Sequence, residues 1–191
     1  MDKFKNFSDL ARHKKEGEDY SVVVREVADS TVAIVAPHGG KIESNTAEMA
    51  QAIAAGNYNL YLFKGVLPEG NFRELHITST HFDEPRCLEL VAKSDVTLTI
   101  HGCHVDEPVV YLSALDKKLE SSLCAAFNKA GIKALTGGHP YKTGASPKNI
   151  CNKNQRQQGV QIEFSRGIRN NPVLRDKCVQ VVRESLKSPA Y

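Results

Sequence analysis

The sequence contains no tryptophan, and aromatic residues make up only 7% of it. Proteins that stack on single-stranded nucleic acid need aromatic side chains interleaved with basic ones, and no such pattern is present. The formal net charge is only +3 and no block of lysine or arginine occurs, so the charge does not indicate nucleic-acid binding either. No run approaches the roughly 18 apolar residues of a membrane span. We therefore expect neither nucleic acid nor a membrane as a partner.

Paired cysteines are also missing. The five cysteines are scattered, odd in number and without any CxxC pair, which argues against a disulfide framework and against a thiolate zinc finger. The first residues, MDKFKNFSDL, are polar and lack the apolar segment of a secretory signal. We expect synthesis in a cytoplasm without a signal peptide, and release by an event other than secretion if the protein acts outside the cell.

Apolar residues, by contrast, make up 41% of the 191 residues and occur in β-branched runs that alternate with amphipathic segments. Alternating strands and helices predict an α/β fold, with an open mixed, largely parallel sheet flanked by helices. We expect a single catalytic domain over residues 1–191. Strands are predicted at 20–27, 31–36, 58–65, 95–102, 108–115 and 159–165, and helices at 45–56, 84–94, 116–131 and 171–188.

Two further local patterns give expectations of their own. Asn45 and Glu48, three residues apart at the start of a predicted helix, predict a capping box.

The segment 136–158 is rich in glycine, proline and asparagine and is too long for a simple connection. Irregular segments of that length are usually functional or disordered, and this composition allows either.

Polar side chains follow three of the predicted strands. His38 and Glu43 follow the second strand, His101 and His104 follow the fourth, and Glu163 lies within the last. In open α/β sheets ligands bind beyond the carboxyl ends of the strands. Two imidazoles and one carboxylate are sufficient ligands for a catalytic zinc, and a second carboxylate can act as the base that takes a proton from water.

Each of these residues also has a structural interpretation. A single histidine at a strand end, such as His38, commonly serves as a packing or capping residue. Glu163 is flanked by apolar residues, and a buried carboxylate is costly unless it is paired, protonated or near a metal. An ion pair with an arginine across the sheet would satisfy it without catalysis. His76 and His81 are expected to line a cleft or to form local hydrogen bonds.

Several segments together resemble one known family. They are APHGGKIESNT, LYLFKG, LHITSTHFDEP, TLTIHG and NICNKNQRQQGVQIEFSRGIR, and they cover most of residues 31–169. They are similar to the phage-type poly-γ-glutamate hydrolases, small zinc peptidases related to the carboxypeptidase A fold. The last segment is also similar to N-formylglutamate amidohydrolases, which recognise glutamate as well.

This resemblance implies a zinc-carboxypeptidase-like fold and a specific set of site residues. His38, Glu43 and His101 match the zinc ligands, and Glu163 matches the catalytic glutamate. The first pair departs from the HxxE spacing of carboxypeptidases, since four residues separate His38 from Glu43. Gly39 and Gly40 between them allow a tight bend. His104 is an alternative third ligand.

The resemblance further implies zinc-dependent cleavage of the γ-glutamyl amide bonds of poly-γ-glutamate. It suggests a phage enzyme that degrades the host capsule and is released on lysis. We expect the protein to be a monomer. Such an anionic polymer carries one free α-carboxylate per residue, and arginine suits bidentate carboxylate recognition. Four residues are expected to contact substrate: Arg156, Arg169, Asn152 and His81.

Two other functions remain open at this point. Cys103 lies between two histidines and could act as the nucleophile of a cysteine-type amidohydrolase. A sequence-adjacent base is awkwardly placed for such a nucleophile, however, and a buried cysteine is usually a small apolar residue. The second alternative is a non-enzymatic phage protein that binds a metal or nucleic acid.

Overall fold

The computed structural model describes residues 2–137 and 144–187. Seven strands form one sheet: β1 Tyr20–Arg25, β2 Val32–Gly40, β3 Asn59–Gly65, β4 Val96–Cys103, β5 Val110–Ala114, β6 Ala134–Thr136 and β7 Val160–Ser165. The helices are α1 Phe7–Leu10, α2 Thr46–Ala54, α3 Asn71–Leu75, α4 Pro85–Ala92, α5 Lys117–Lys129, α6 Arg166–Arg169 and α7 Pro172–Lys187, with a 3-10 turn at Ile150–Asn152.

The strand order is β1-β3-β2-β4-β7-β5-β6. β1 runs antiparallel to β3 and β5 antiparallel to β7, while the other neighbouring strands are parallel. The predicted mixed, largely parallel sheet flanked by helices is thereby confirmed. Helix α3 lies outside the helices and strands predicted from the sequence. Among the described residues, no helix combines the length and the apolar character needed to cross a membrane.

Helices cover both faces of the sheet. On one face α2, α5 and α7 bury a cluster that includes Ile34 and Leu98, and on the other α1 and α4 bury a cluster that includes Val35 and Phe63. Neighbouring residues of one strand thus face opposite layers, as the alternation of a β-strand requires. Burial of each such side chain contributes about 1.5–3 kcal/mol.

A bulge near the end of β2 changes which face its side chains reach. Ala36 pairs with Leu62 of β3 and Gly39 with Lys64, so β2 uses one more residue than β3 over this stretch. Without the extra residue, His38 would face the α2 layer as Ala36 does, because a one-residue shift exchanges the two faces of a strand. The bulge turns the His38 side chain to the opposite face.

The expected capping box at the start of α2 is wrong. Asn45 adopts a left-handed conformation with φ of 70° and makes no side-chain capping hydrogen bond. The side-chain nitrogen Nδ2 of Asn45 donates instead to the carbonyl oxygen of Arg169 at 3.0 Å. The tertiary contact with the end of α6 therefore replaces the local cap.

Candidate active site

Three neighbouring parallel strands bring the predicted site residues together. His38 lies near the end of β2, His101 near the end of β4 and Glu163 near the end of β7. β4 and β7 are in a register that places His101 directly beside Glu163. All three side chains are buried, with no more than 2% of each residue exposed. The carboxyl ends of the strands thus gather the side chains as the topology predicts.

Glu43 reaches the same point through a sharp turn after β2. Gly40 has φ of 63°, and a Cβ atom on it would lie 2.5 Å from the carbonyl oxygen of Gly65, so only glycine fits there. The amide of Glu43 donates to the carbonyl oxygen of His38 at 2.9 Å, which closes the turn. The expectation that the glycines let the chain bend back is confirmed at Gly40.

The side-chain atoms of His38, Glu43 and His101 form a compact triangle. His38 Nδ1 lies 3.1 Å from His101 Nδ1 and 3.4 Å from Glu43 Oε1, and His101 Nδ1 lies 3.7 Å from Glu43 Oε2. Tetrahedral zinc with bonds of about 2.0–2.1 Å separates its ligand atoms by about 3.3–3.4 Å. The donor set and its spacing therefore fit a zinc ion.

Further hydrogen-bond partners of these three side chains orient their ligand atoms toward the centre of the triangle. His38 Nε2 lies 2.8 Å from the carbonyl oxygen of Ile77, which can only accept a hydrogen bond. In neutral His38 the proton is consequently on Nε2, and the Nδ1 lone pair faces the Glu43 carboxylate. The Nδ1 lone pair and the carboxylate repel each other at 3.4 Å unless a cation or a proton lies between them. A carbonyl partner on the outer nitrogen is also typical of metal-binding histidines.

His101 and Glu43 are held in a similar way. His101 Nε2 lies 3.4 Å from the hydroxyl oxygen of Ser79, and Glu43 Oε2 accepts a hydrogen bond of 2.7 Å from the amide of Gly102. His104, the alternative third ligand, is exposed and packs edge-on against Phe72. The structure therefore brings His101, and not His104, to His38 and Glu43.

His76 is a second candidate partner for these residues. Ligand atoms of His38, Glu43 and His76 also lie within 4.8 Å of one another. His76 Nδ1, however, lies 2.7 Å from Asp2 Oδ1, and its ring packs at a tilt against that of His38 with centroids 4.2 Å apart. Burial, together with the nearby His38, lowers the pKa of His76 to about 4. We favour His101 as the ligand because its Nδ1 closes the tighter triangle.

A cavity of about 240 Å³ opens above these side chains. Its lining consists of His38, Phe72, His76, Thr78, Ser79, Thr80, His101, Asn149, Gln161 and Glu163. The expectation that His76 lines a cleft is confirmed, but its side-chain hydrogen bond goes to the distant Asp2 and not to a local partner. Ser79 and Asn149 were not predicted to line the site, since serine and asparagine carry no recognisable signal unless the fold around them is known.

A chain of buried amides holds Glu163. Gln161 Nε2 donates to Glu163 Oε1 at 2.8 Å, and Asn149 Nδ2 donates to Gln161 Oε1 at 2.7 Å. Asn149 Oδ1 in turn accepts from the amide of Cys151. Each of these polar groups thereby has a partner, and the orientation of the Glu163 carboxylate is fixed from the side.

Arg169, expected to bind substrate, lies behind the site and does not line the cavity. It is 4% exposed, and its guanidinium donates to the carbonyl oxygens of Phe164, Ser44 and Cys103 at 3.1, 2.6 and 3.1 Å. Burial lowers its pKa. The side chain ties together the ends of β4 and β7 and the residue after Glu43, so its role here is structural.

The other three expected substrate residues also lie outside the cavity lining. Arg156 pairs with Asp116 at 3.1 Å, at the end of the strands remote from Glu163. Asn152 is buried and uses its amide on the backbone of its own loop, at Gly144, Ser146 and Gly159. The structure thus brings neither side chain to the site, because Arg156 is held by its ion pair and Asn152 by its backbone hydrogen bonds.

His81 and Cys103 occupy positions at the edge of the site. His81 is exposed and lines a neighbouring surface recess. Cys103 is 2% exposed at the end of β4 and does not contribute to the cavity lining. A nucleophile must reach the substrate, so this placement disfavours the cysteine-hydrolase alternative.

Comparison with known proteins finds relatives over most of the chain. The poly-gamma-glutamate hydrolase family matches residues 4–181 of the chain. UPF0714 protein YndL of Bacillus subtilis (strain 168) is 37% identical over 172 residues, which is 89% of this chain and 66% of YndL. The chain therefore spans slightly less than two thirds of that relative.

Two solved structures have the same fold over nearly the whole chain. A bacteriophage poly-gamma-glutamate hydrolase superposes with a TM-score of 0.89 at 27% identity and covers 98% of this chain and 97% of its own. A zinc-free form of YndL gives a TM-score of 0.91 at 32% identity, with both chains covered completely. On the extent of the family match and the identity to YndL, the chain belongs to the poly-gamma-glutamate hydrolase family.

Proposed function

We propose that this chain is a zinc-dependent hydrolase of the γ-glutamyl amide bonds of poly-γ-glutamate, and that residues 1–191 act as one catalytic domain. The observation that carries the proposal is the convergence of His38, Glu43 and His101 into one triangle beside the buried carboxylate of Glu163. Family membership and the activity of the phage relative support the choice of polymer.

His38 Nδ1, Glu43 and His101 Nδ1 would hold the zinc. Zinc in such a site acts as a Lewis acid toward the scissile carbonyl and lowers the pKa of water. The existence of a form of YndL that is identified as zinc-free supports the choice of metal. Imidazole and carboxylate ligands are also a common zinc set in hydrolases.

Glu163 is the proposed general base. Its carboxylate takes a proton from the attacking water, the oxygen of which bonds to the carbonyl carbon of the amide. When the carbon–nitrogen bond breaks, Glu163 returns the proton to the departing amine, and the carboxylate is regenerated. Gln161 holds the carboxylate in orientation throughout this cycle through its hydrogen bond to Oε1.

The finer biological role is part of the same proposal. We infer a phage-encoded enzyme that is released on lysis and thins the host's poly-γ-glutamate capsule, in line with the phage origin of the solved relative. Purified protein added to capsulated cells is expected to reduce the capsule layer, and the Glu163→Gln variant is not. Equal capsule loss with both would contradict this role.

Bond specificity tests the proposal directly. The protein is incubated with γ-linked and, separately, α-linked polyglutamate, and the new amino ends are counted. We expect new ends from the γ-linked polymer only, and a rate at least about 100-fold lower for Glu163→Gln. Cleavage of the α-linked polymer at a similar rate, or full activity of Glu163→Gln, would overturn it.

A further inference from the structure

A second recess lies beside the catalytic cavity. It has a volume of about 500 Å³, and its lining includes Lys5, Thr80, Asp83, Lys148 and Lys153. Thr80 also lines the catalytic cavity, so the two depressions share a wall. We refer to this second depression as the lysine recess.

The charges in the lysine recess are strongly unbalanced. Lys5, Lys148 and Lys153 are all exposed, and in the described part of the chain none of their ammonium groups forms an ion pair with a carboxylate. Among the described residues that line the recess, Asp83 is the one carboxylate, and its Oδ1 accepts a hydrogen bond of 2.7 Å from the amide of Phe7. The three described lysines therefore face solvent, and the Asp83 carboxylate beside them is already hydrogen-bonded through one oxygen.

These cations come from separate parts of the chain. Lys5 precedes α1, whereas Lys148 and Lys153 flank the 3-10 turn at Ile150–Asn152. That same segment delivers Asn149 to the catalytic cavity. The fold thus places one wall of the catalytic cavity and two of the three lysines on a single short segment.

The size of the catalytic cavity indicates what the lysine recess can bind. At about 240 Å³ it is smaller than the roughly 300–1,000 Å³ of sites that enclose a drug-sized ligand, so a polymer held there must continue outside it. Every γ-linked glutamyl residue carries a free α-carboxylate. Long, mobile lysines are suited to a chain of such charges, because an ammonium binds as a point charge without fixed geometry.

We propose that the lysine recess binds the α-carboxylates of substrate residues adjacent to the one being cleaved. This proposal rests on the proposed function and adds the substrate subsite to it. The recess would raise the affinity for long chains and the rate of encounter, as complementary charge does for other anionic partners. It would contribute little to the chemical step, since its lysines do not line the catalytic cavity.

The test compares two triple variants with the same loss of charge. One is Lys5→Gln, Lys148→Gln, Lys153→Gln. The control is Lys118→Gln, Lys129→Gln, Lys177→Gln, which removes three exposed lysines from α5 and α7 on the opposite face of the sheet. The measured quantity is the ratio of kcat/KM on long poly-γ-glutamate to kcat/KM on a γ-linked glutamyl trimer.

We expect this ratio to fall about tenfold in the lysine-recess variant, through KM, and to change less than twofold in the control. The loss should shrink at high salt, where exposed charges are screened. An unchanged ratio, or equal losses in both variants, would overturn the proposal.

A binding arm separates this proposal from the proposed function. Labelled poly-γ-glutamate is titrated onto Glu163→Gln protein with and without the three lysine-recess substitutions. The unmodified protein could bind the polymer without cleaving it, which would overturn the hydrolase proposal. If the three substitutions then weaken this binding about tenfold, the lysine-recess proposal stands. If the polymer does not bind, or single-stranded DNA of equal charge binds as tightly, the lysine-recess proposal falls.

Discussion

His101 and Glu163 lie directly beside each other on the parallel strands β4 and β7. Both side chains line the same cavity, so the separation of a proposed metal ligand from the proposed base is set by the spacing of two strands in the middle of a sheet. A one-residue slip of β7 would move Glu163 to the opposite face. The proposed chemistry is thus built on two interior strands of the sheet.

Replacement of His101 is expected to abolish metal binding. His101→Ala removes one of three ligands, and zinc affinity should fall by at least 100-fold. His104→Ala is the matched control, because His104 is exposed and three residues away. Equilibrium dialysis followed by elemental analysis measures bound zinc. Equal zinc in both variants would point to His76 as the ligand instead.

Gln161 should act on turnover more than on substrate affinity. Gln161→Leu removes the donor to Glu163 Oε1, and loss of a hydrogen bond to a buried carboxylate costs about 1.5–3 kcal/mol, or roughly 10- to 100-fold. We expect kcat to fall by that factor with KM changed less than about threefold. Gln155→Leu, at an exposed position, serves as the control. A change confined to KM would assign Gln161 to substrate binding.

Gly40 is expected to be necessary for the turn that returns Glu43. Gly40→Ala introduces a Cβ atom 2.5 Å from a backbone oxygen at a positive φ, so we expect a loss of about 1–3 kcal/mol in the free energy of unfolding and weaker zinc binding. Gly56→Ala is the control, since open space surrounds that position. Urea denaturation measures the difference. Equal stability of the two variants would show that the turn can adopt another path.

The pKa of His76 predicts a pH dependence of stability for metal-free protein. It is about 4 in the fold and about 6.5 in an unfolded chain, so the unfolded state binds more protons between these values. Stability should therefore fall as pH is lowered from 6.5 to 4. His76→Gln should remove up to about 3 kcal/mol of that fall, measured by denaturation with a chelator present. The same pH dependence in the variant would contradict this assignment.

Much of the site was predictable because topology gathers strand ends. His38, His101 and Glu163 follow apolar runs, and parallel strands bring such positions to one edge of the sheet whatever the details of packing. The return of Glu43 followed from the glycines before it. What the sequence could not show was the bulge in β2, which decides the face that His38 reaches and depends on pairing with β3.

The fold does not bring the expected substrate residues into the lining of the cavity. Arg169 and Asn152 belong to the same family-like segment as Glu163, but both are buried and satisfied by backbone partners. Asp2 shows the converse, since it contacts His76 across 74 positions of the chain. Contacts of this kind depend on how loops and chain ends cover the sheet, and hydrophobic periodicity carries no information about them.

The most direct test of zinc-dependent hydrolysis follows the size of poly-γ-glutamate by chromatography after incubation with the protein. Three samples are compared: zinc-loaded protein, protein treated with a zinc-stripping chelator, and treated protein to which one equivalent of zinc is returned. We predict that the polymer shortens, that the chelator abolishes shortening, and that zinc restores it. Shortening that survives removal of the metal, or intact polymer after incubation with folded zinc-loaded protein, would contradict the assignment.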